Sequence, residues 1–312
     1  MIRMTVLILL VIPAESGAQL QQVSAADVRT VAERGDDVAL RSSVAESPVA
    51  AREAVQRLLE RTASRDTLAA RRALDAAIRV AEAIAAEHRD SFPLGMVGRF
   101  ATWSVAQRRA KLTVDSLRRS GNTAFTNDGL APALPIWRES LRRARFLRDT
   151  AGTAAVLGNI GTGFYGEGSL DSAATYYIQA QQVALSIGDR RTALNALGGL
   201  ANVQRDRGDL AGARGLYEQS MAQRAAIDDY RGMMADRTNL GMLAQDLGDV
   251  SGARASYLAA IELATQYGIR DAEAAALVNL GQLASLEADY PEALSRYGRA
   301  LGIYRTLGFR PD

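Results

Sequence analysis

Side chains that commonly carry enzymatic chemistry are scarce in this sequence. It holds one histidine, His88, one lysine, Lys111, and no cysteine. A thiol nucleophile, a thiolate metal site and a disulfide are therefore excluded, and a multi-histidine metal centre is unavailable. Thirty-six of the 37 basic residues are arginine, which leaves little room for lysine chemistry. Gly161-Thr162-Gly163-Phe164-Tyr165-Gly166 matches a dinucleotide fingerprint. A phosphate cradle, however, needs a strand before that motif, and here the motif falls inside a helical pattern. Asp228 and Asp229 are adjacent at a turn, where capping explains them. His88 lies near the end of a long helical pattern and reads as a solvated helix-end residue. No Walker A, HExxH or GxSxG sequence is present. No catalytic constellation, metal site or cofactor site emerges, and the chain reads as non-enzymatic.

What the sequence does contain is a repeat, and its period is a constant 40 residues. Gly121, Gly161, Ala201, Gly241 and Gly281 stand 40 apart. Seven residues after each comes a turn: Asp128-Gly129, Gly168-Ser169, Gly208-Asp209, Gly248-Asp249 and Ala288-Asp289. An alanine follows at 133, 173, 213, 253 and 293, then an aromatic at Trp137, Tyr177, Tyr217, Tyr257 and Tyr297. A small residue stands three further on, from Ser140 to Ala300. A second turn closes each unit at Gly188-Asp189, Asp228-Asp229, Gly268 and Gly308. Within each half, apolar residues recur at three and four, which is helical spacing. Gly accepts positive φ cheaply and Asp caps a following helix. Each unit is thus a helical hairpin that cannot bury its apolar face alone, and stacking gives an all-α solenoid.

Four segments follow along the chain. Residues 1–18 have a basic start at Arg3, a nine-residue run from Met4 to Ile12 that is apolar but for Thr5, and small residues before Gln19. This is the layout of a signal peptide, and a nine-residue helix of about 14 Å is too short to span a bilayer. The expectation is an exported bacterial protein, periplasmic or secreted, with no stable membrane insertion after cleavage. Residues 19–46 show no clear period and read as an N-terminal arm or a loose helical pair. Residues 47–113 read as a helical cap or degenerate repeats. Ser47-Pro48 starts a helix there, Leu58, Leu59, Leu68, Leu74, Ile78, Ala81 and Ile84 recur at roughly helical spacing, and Ser104 with Gln107 forms a capping box. Residues 114–312 hold the five repeats.

Charge is uneven: residues 91–150 carry a balance of +7 and residues 151–312 one of −4. Arg138, Arg142 and Arg145 share one helical face. They read as solvated surface, and nucleic acid is a poor partner for an exported chain.

The residues quoted for the repeat resemble the tetratricopeptide repeat, in a long variety with "NLG" signatures. The resemblance implies a right-handed superhelix whose first helix in each hairpin lines a concave surface, with a protein or peptide as partner. It places Asn159, Asn239 and Asn279, two before the repeat glycine, on that surface, with Gly199 at the fourth equivalent position. Thr162, Asn202, Met242 and Gln282 would lie alongside, and Tyr165, Arg205 and Gln245 one turn further. In the family such asparagines hydrogen-bond the backbone of a bound peptide. Here two roles stay open for them: holding a peptide, or holding the stack together.

Two functional readings follow. One is a non-catalytic exported scaffold binding a protein or peptide in its groove. The other is the recognition region of a larger enzyme, since long-period repeats of this kind resemble those preceding CHAT-type protease domains. The last helical pattern, from Pro291 to Leu307, carries Leu294, Leu301, Ile303, Tyr304 and Leu307. A face that apolar makes a homodimer through the C-terminal repeat a further expectation.

Overall fold

The computed structural model describes residues 23–63 and 67–307. The expected signal peptide and the turn at Gly308 lie outside them. The described residues form fifteen helices. The last ten make five hairpins: α6 (Val105–Asp128) with α7 (Leu130–Leu147), α8 (Thr150–Gly166) with α9 (Leu170–Leu185), α10 (Arg190–Asp206) with α11 (Leu210–Ala225), α12 (Tyr230–Asp246) with α13 (Val250–Gln266), and α14 (Arg270–Leu286) with α15 (Tyr290–Thr306). Each of these ten helices packs mainly on its sequence neighbours, as a solenoid requires. The dinucleotide-like motif lies within α8, with no strand before it.

The turns follow from their residues. Gly168, Gly208 and Gly248 adopt φ of 72°, 88° and 75°, and Ala288 is forced to 61° in the same role. Next to Gly208 and Gly248, Asp209 and Asp249 accept from the backbone N–H three residues on, both at 2.9 Å. Asp149, Asp189, Asp229 and Asp289 cap α8, α10, α12 and α15 in the same way. Each cap satisfies an amide that the helix start leaves open.

The repeat glycines make room for the aromatics. A Cβ at Gly161 would lie 2.8 Å from the Tyr177 ring, and one at Gly241 2.5 Å from that of Tyr257. Gly121 receives the Trp137 ring in the same way, so the first hairpin keeps the register of the others. Tyr217 and Tyr257 are fully buried. Tyr297, on α15, is half-exposed.

The N-terminal segment is more ordered than an arm. Residues 25–46 form α1 (Ala25–Arg34) and α2 (Asp37–Glu46), which pack with α3 (Pro48–Arg61), α4 (Thr67–His88) and α5 (Phe92–Ala101) into a bundle. Val28, Leu40, Val44, Val55, Leu58, Val80, Ile84 and Phe100 form its core. Leu68, grouped with that apolar face by spacing, is exposed instead. The caps at Ser47 and Ser104 form as expected, and the long helix α6 carries the chain from the bundle into the repeats. The bundle core lies within residues 23–103 and is separate from the repeat cores.

A polar seam ties this bundle to the repeats. Asp90 accepts from Arg52 at 2.9 Å and pairs with Arg191 of α10 at 3.4 Å. Arg191 and Arg224 both pair with Asp229, and Arg224 Nε reaches Asp236 at 3.0 Å. His88 corrects the sequence reading: it is 6% exposed, because the end of α4 is covered by α2 and by the turn before α12. Its Nδ1 lies 3.1 Å from Asp228 Oδ2 and its Nε2 2.9 Å from the Val44 carbonyl. Capping therefore explains Asp229 only in part, and Asp228 not at all.

Candidate functional site

The candidate surface is made by α8, α10, α12 and α14, the first helices of hairpins two to five. Asn159 of α8 donates from Nδ2 to Asn122 Oδ1 of α6 at 2.5 Å, and Trp137 Nε1 donates to the same oxygen at 3.0 Å. The asparagine thus joins two hairpins. Gly199 lies where Asn159 does one repeat earlier, and a Cβ there would meet Tyr177 Cζ at 2.5 Å. That glycine serves packing.

The next positions hold the tyrosines. Tyr177 donates to Thr162 Oγ1 at 3.2 Å. Tyr217 donates to Asn202 Oδ1, and Tyr257 to Gln245 Oε1. Burial pushes the Tyr177 hydroxyl up to about 12, and it raises Tyr217 and Tyr257 as well. These hydroxyls remain protonated donors across the physiological range.

Arg205 sits at the centre of the surface. Its guanidinium meets Tyr165 Oη of α8 at 3.4 Å, Asp206 at 3.1 Å, and Asp246 of α12 at 3.5 Å, and it lies 3.7 Å from Met242 Sδ. Its side chain is 10% exposed. The structure thus brings Tyr165, Arg205 and Met242 together across three helices. Burial also raises the Tyr165 hydroxyl, against the pull of Arg205.

Asn239 and Gln282 are partly exposed on α12 and α14. Asn279 is 3% exposed, and its Nδ2 is buried with no hydrogen-bond partner. Among all the candidate residues it alone holds a buried polar atom left unpaired. Such an atom costs about 1–3 kcal/mol unless something meets it. Sequence reasoning missed Asn122, Asp206 and Asp246. Asn122 was findable, since it stands 40 residues before Thr162. Among the described residues, no group of three or more His, Asp or Glu side chains is placed to hold a metal ion, and no helix is long and apolar enough to cross a membrane.

The tetratricopeptide repeat family matches residues 152–226 and 233–306. These are tetratricopeptide repeats. The match begins at α8, so the α6–α7 hairpin precedes it, although Trp137 on Gly121 keeps the repeat packing. No curated protein is significantly similar to the chain. Among solved structures, a Rap protein complexed with competence and sporulation factor is similar at 12% identity and a TM-score of 0.57, covering 91% of this chain and 76% of that one. Aspartyl phosphate phosphatase F from Bacillus subtilis is similar at 12% identity and a TM-score of 0.53, covering 95% and 78%. BtubC (BKLC) from P. vanneervenii is similar at 18% identity and a TM-score of 0.47, covering 83% and 94%. At these identities the likeness is one of fold. The tetratricopeptide repeats of this chain form a helical scaffold.

Proposed function

We propose that this chain is an exported, non-catalytic scaffold that holds a peptide or an extended protein segment along the inner faces of α8, α10, α12 and α14. The observation that carries the reading is the pair Asn239 and Gln282, whose carboxamides stand partly exposed on α12 and α14. A carboxamide donates and accepts at once, which suits a peptide backbone. Asn279, beside them on α14, is 3% exposed and its buried Nδ2 lies out of a peptide's reach. Asn159 is already engaged with Asn122 and serves the stack. The complex of a Rap protein with competence and sporulation factor gives a precedent for ligand capture by this fold. Pairing of α15 with a second copy belongs to the same reading.

Selection from a display library of random dodecapeptides tests it, followed by fluorescence anisotropy on an enriched peptide. Asn239→Ala should weaken binding about tenfold while leaving the melting temperature unchanged. Failure to enrich any peptide, or binding indifferent to both Asn239→Ala and Gln282→Ala, would sink the reading. Export is tested by intact mass after expression of the full chain: loss of the first 18 residues is expected, and their retention counts against it.

A further inference from the structure

We propose that His88 is a proton-dependent latch holding the N-terminal bundle against the turn between the third and fourth hairpins. The argument begins with hydrogen-bond chemistry. A neutral imidazole has one N–H donor and one acceptor nitrogen. Both ring nitrogens of His88 face acceptors: Asp228 Oδ2 at 3.1 Å and the Val44 carbonyl at 2.9 Å. A backbone carbonyl can only accept. With Asp228 ionised, only the imidazolium, with two N–H donors, satisfies both contacts at once.

The surroundings hold Asp228 as the counter-charge. Its other oxygen accepts from the Tyr230 hydroxyl at 3.0 Å, and Tyr230 is stacked on Tyr267 with ring centroids 3.7 Å apart. Burial raises the Tyr230 hydroxyl, so it stays a donor. The other charges at the seam are matched to one another. Asp90 takes Arg52 of α3 and Arg191 of α10, and Asp229 takes Arg191 and Arg224 of α11. On the flanks of His88 itself stand Glu87 and Arg89, and among the described residues the carboxylate paired with the ring is Asp228. Asp228 is the carboxylate left for His88.

The latch matters because the bundle is held to the repeats by polar contacts, not by a shared apolar core. Its apolar core closes within residues 23–103 and does not merge with the cores of the hairpins. Besides the covalent path through α6 and the contacts of α6 itself (Arg119 with Glu60, Arg109 with the Ala63 carbonyl, Arg108 with the Ala101 carbonyl and the Phe100 ring), the bundle meets the repeats through the polar seam. When the imidazolium loses its proton, one ring nitrogen turns a lone pair toward an acceptor in a buried site. One charge-assisted bond is lost and a repulsion replaces it. The bundle then loosens when the imidazolium is deprotonated.

Two readouts on the full chain test this. The chain has a single histidine, so its ring nitrogens give one unambiguous pair of 15N signals. Toward the acid end of a pH series both should carry protons, and toward the alkaline end the ring should become a single neutral tautomer. The chain has no cysteine, so spin labels at Ser42→Cys and Gln223→Cys, both exposed positions, report the separation of bundle and repeats. A narrow distance distribution is expected at the lower pH, with a longer population rising about tenfold at the higher one, the factor that one charge-assisted bond carries. His88→Gln, checked for folding by circular dichroism, should show the longer population at both. A neutral tautomer at the lower pH would overturn the proposal. So would a change of protonation with no change of distance in the unsubstituted background, a result that does not depend on any His88 variant folding.

Discussion

Ala288 holds a backbone angle that glycine holds in three sister turns. A left-handed alanine costs about 1–2 kcal/mol, and the site is exposed. Ala288→Gly should therefore stabilise the protein by about 1 kcal/mol, read as a higher urea midpoint with an unchanged slope. Gly199 is the opposite case. Any side chain there strikes Tyr177 from the preceding hairpin, so Gly199→Val should cost about 2 kcal/mol and lower the melting temperature. At this scale the sequence was partly legible. Period and turn chemistry locate the glycines, aromatics and caps before any coordinates. They do not reveal that Asn159, Asn202 and Gln245 spend their amides on Asn122, Tyr217 and Tyr257. Spacing tells which face a side chain shares, but not whether a neighbour has already claimed its polar atoms.

At the scale of elements, α11 and α12 are joined by charge as well as by apolar contact. Arg224 is 2% exposed and is shared between Asp229 and Asp236. Burial pushes the Asp236 carboxyl up to about 6, against the pull of Arg224. Burial acts the same way on Asp229, but there Arg191 and Arg224 prevail and hold it below the usual range. The raised acid binds its proton more tightly when folded. The folded chain thus takes up a proton between about pH 4 and pH 6, and its stability falls as pH rises across that window. Asp236→Asn should remove this slope, up to about 3 kcal/mol, while the opposite dependence from Asp229 at lower pH remains. Urea unfolding at a series of pH values checks it, and an unchanged slope in the variant would refute the assignment. The ten repeat helices were readable because their pattern recurs. The helices α1 and α2 were legible only as one of two alternatives, an arm or a loose helical pair, because each is ten residues long and buries only two or three side chains. Their burial is set by α3 and α4, which local periodicity does not encode.

For the whole molecule, the open question of association falls on α15. Leu286, Tyr290 and Leu294 are 78%, 63% and 72% exposed, whereas Ile303 is buried and Leu301 and Leu307 are partly so. If a second copy covers this end, light scattering across a concentration series should show a mass that rises with concentration, and Leu294→Glu should return it to the monomer value. A constant monomer mass would dismiss the pairing. Charge asymmetry along the chain was visible from composition. The seam was not, since His88 and Asp228 stand 140 residues apart and no local pattern links them.

The seam also has a mechanical meaning. The bundle is fixed to the solenoid at its start through α6 and again at the seam with α10 and the turn before α12. The first three hairpins are therefore braced like an arch with a tie-bar. Beyond α12 no such tie exists among the described residues, so the last two hairpins can wind and unwind as a spring. Under tension, extension should begin at α14 and α15 and travel toward the front, where a further rise in force would mark the moment the tie-bar gives way.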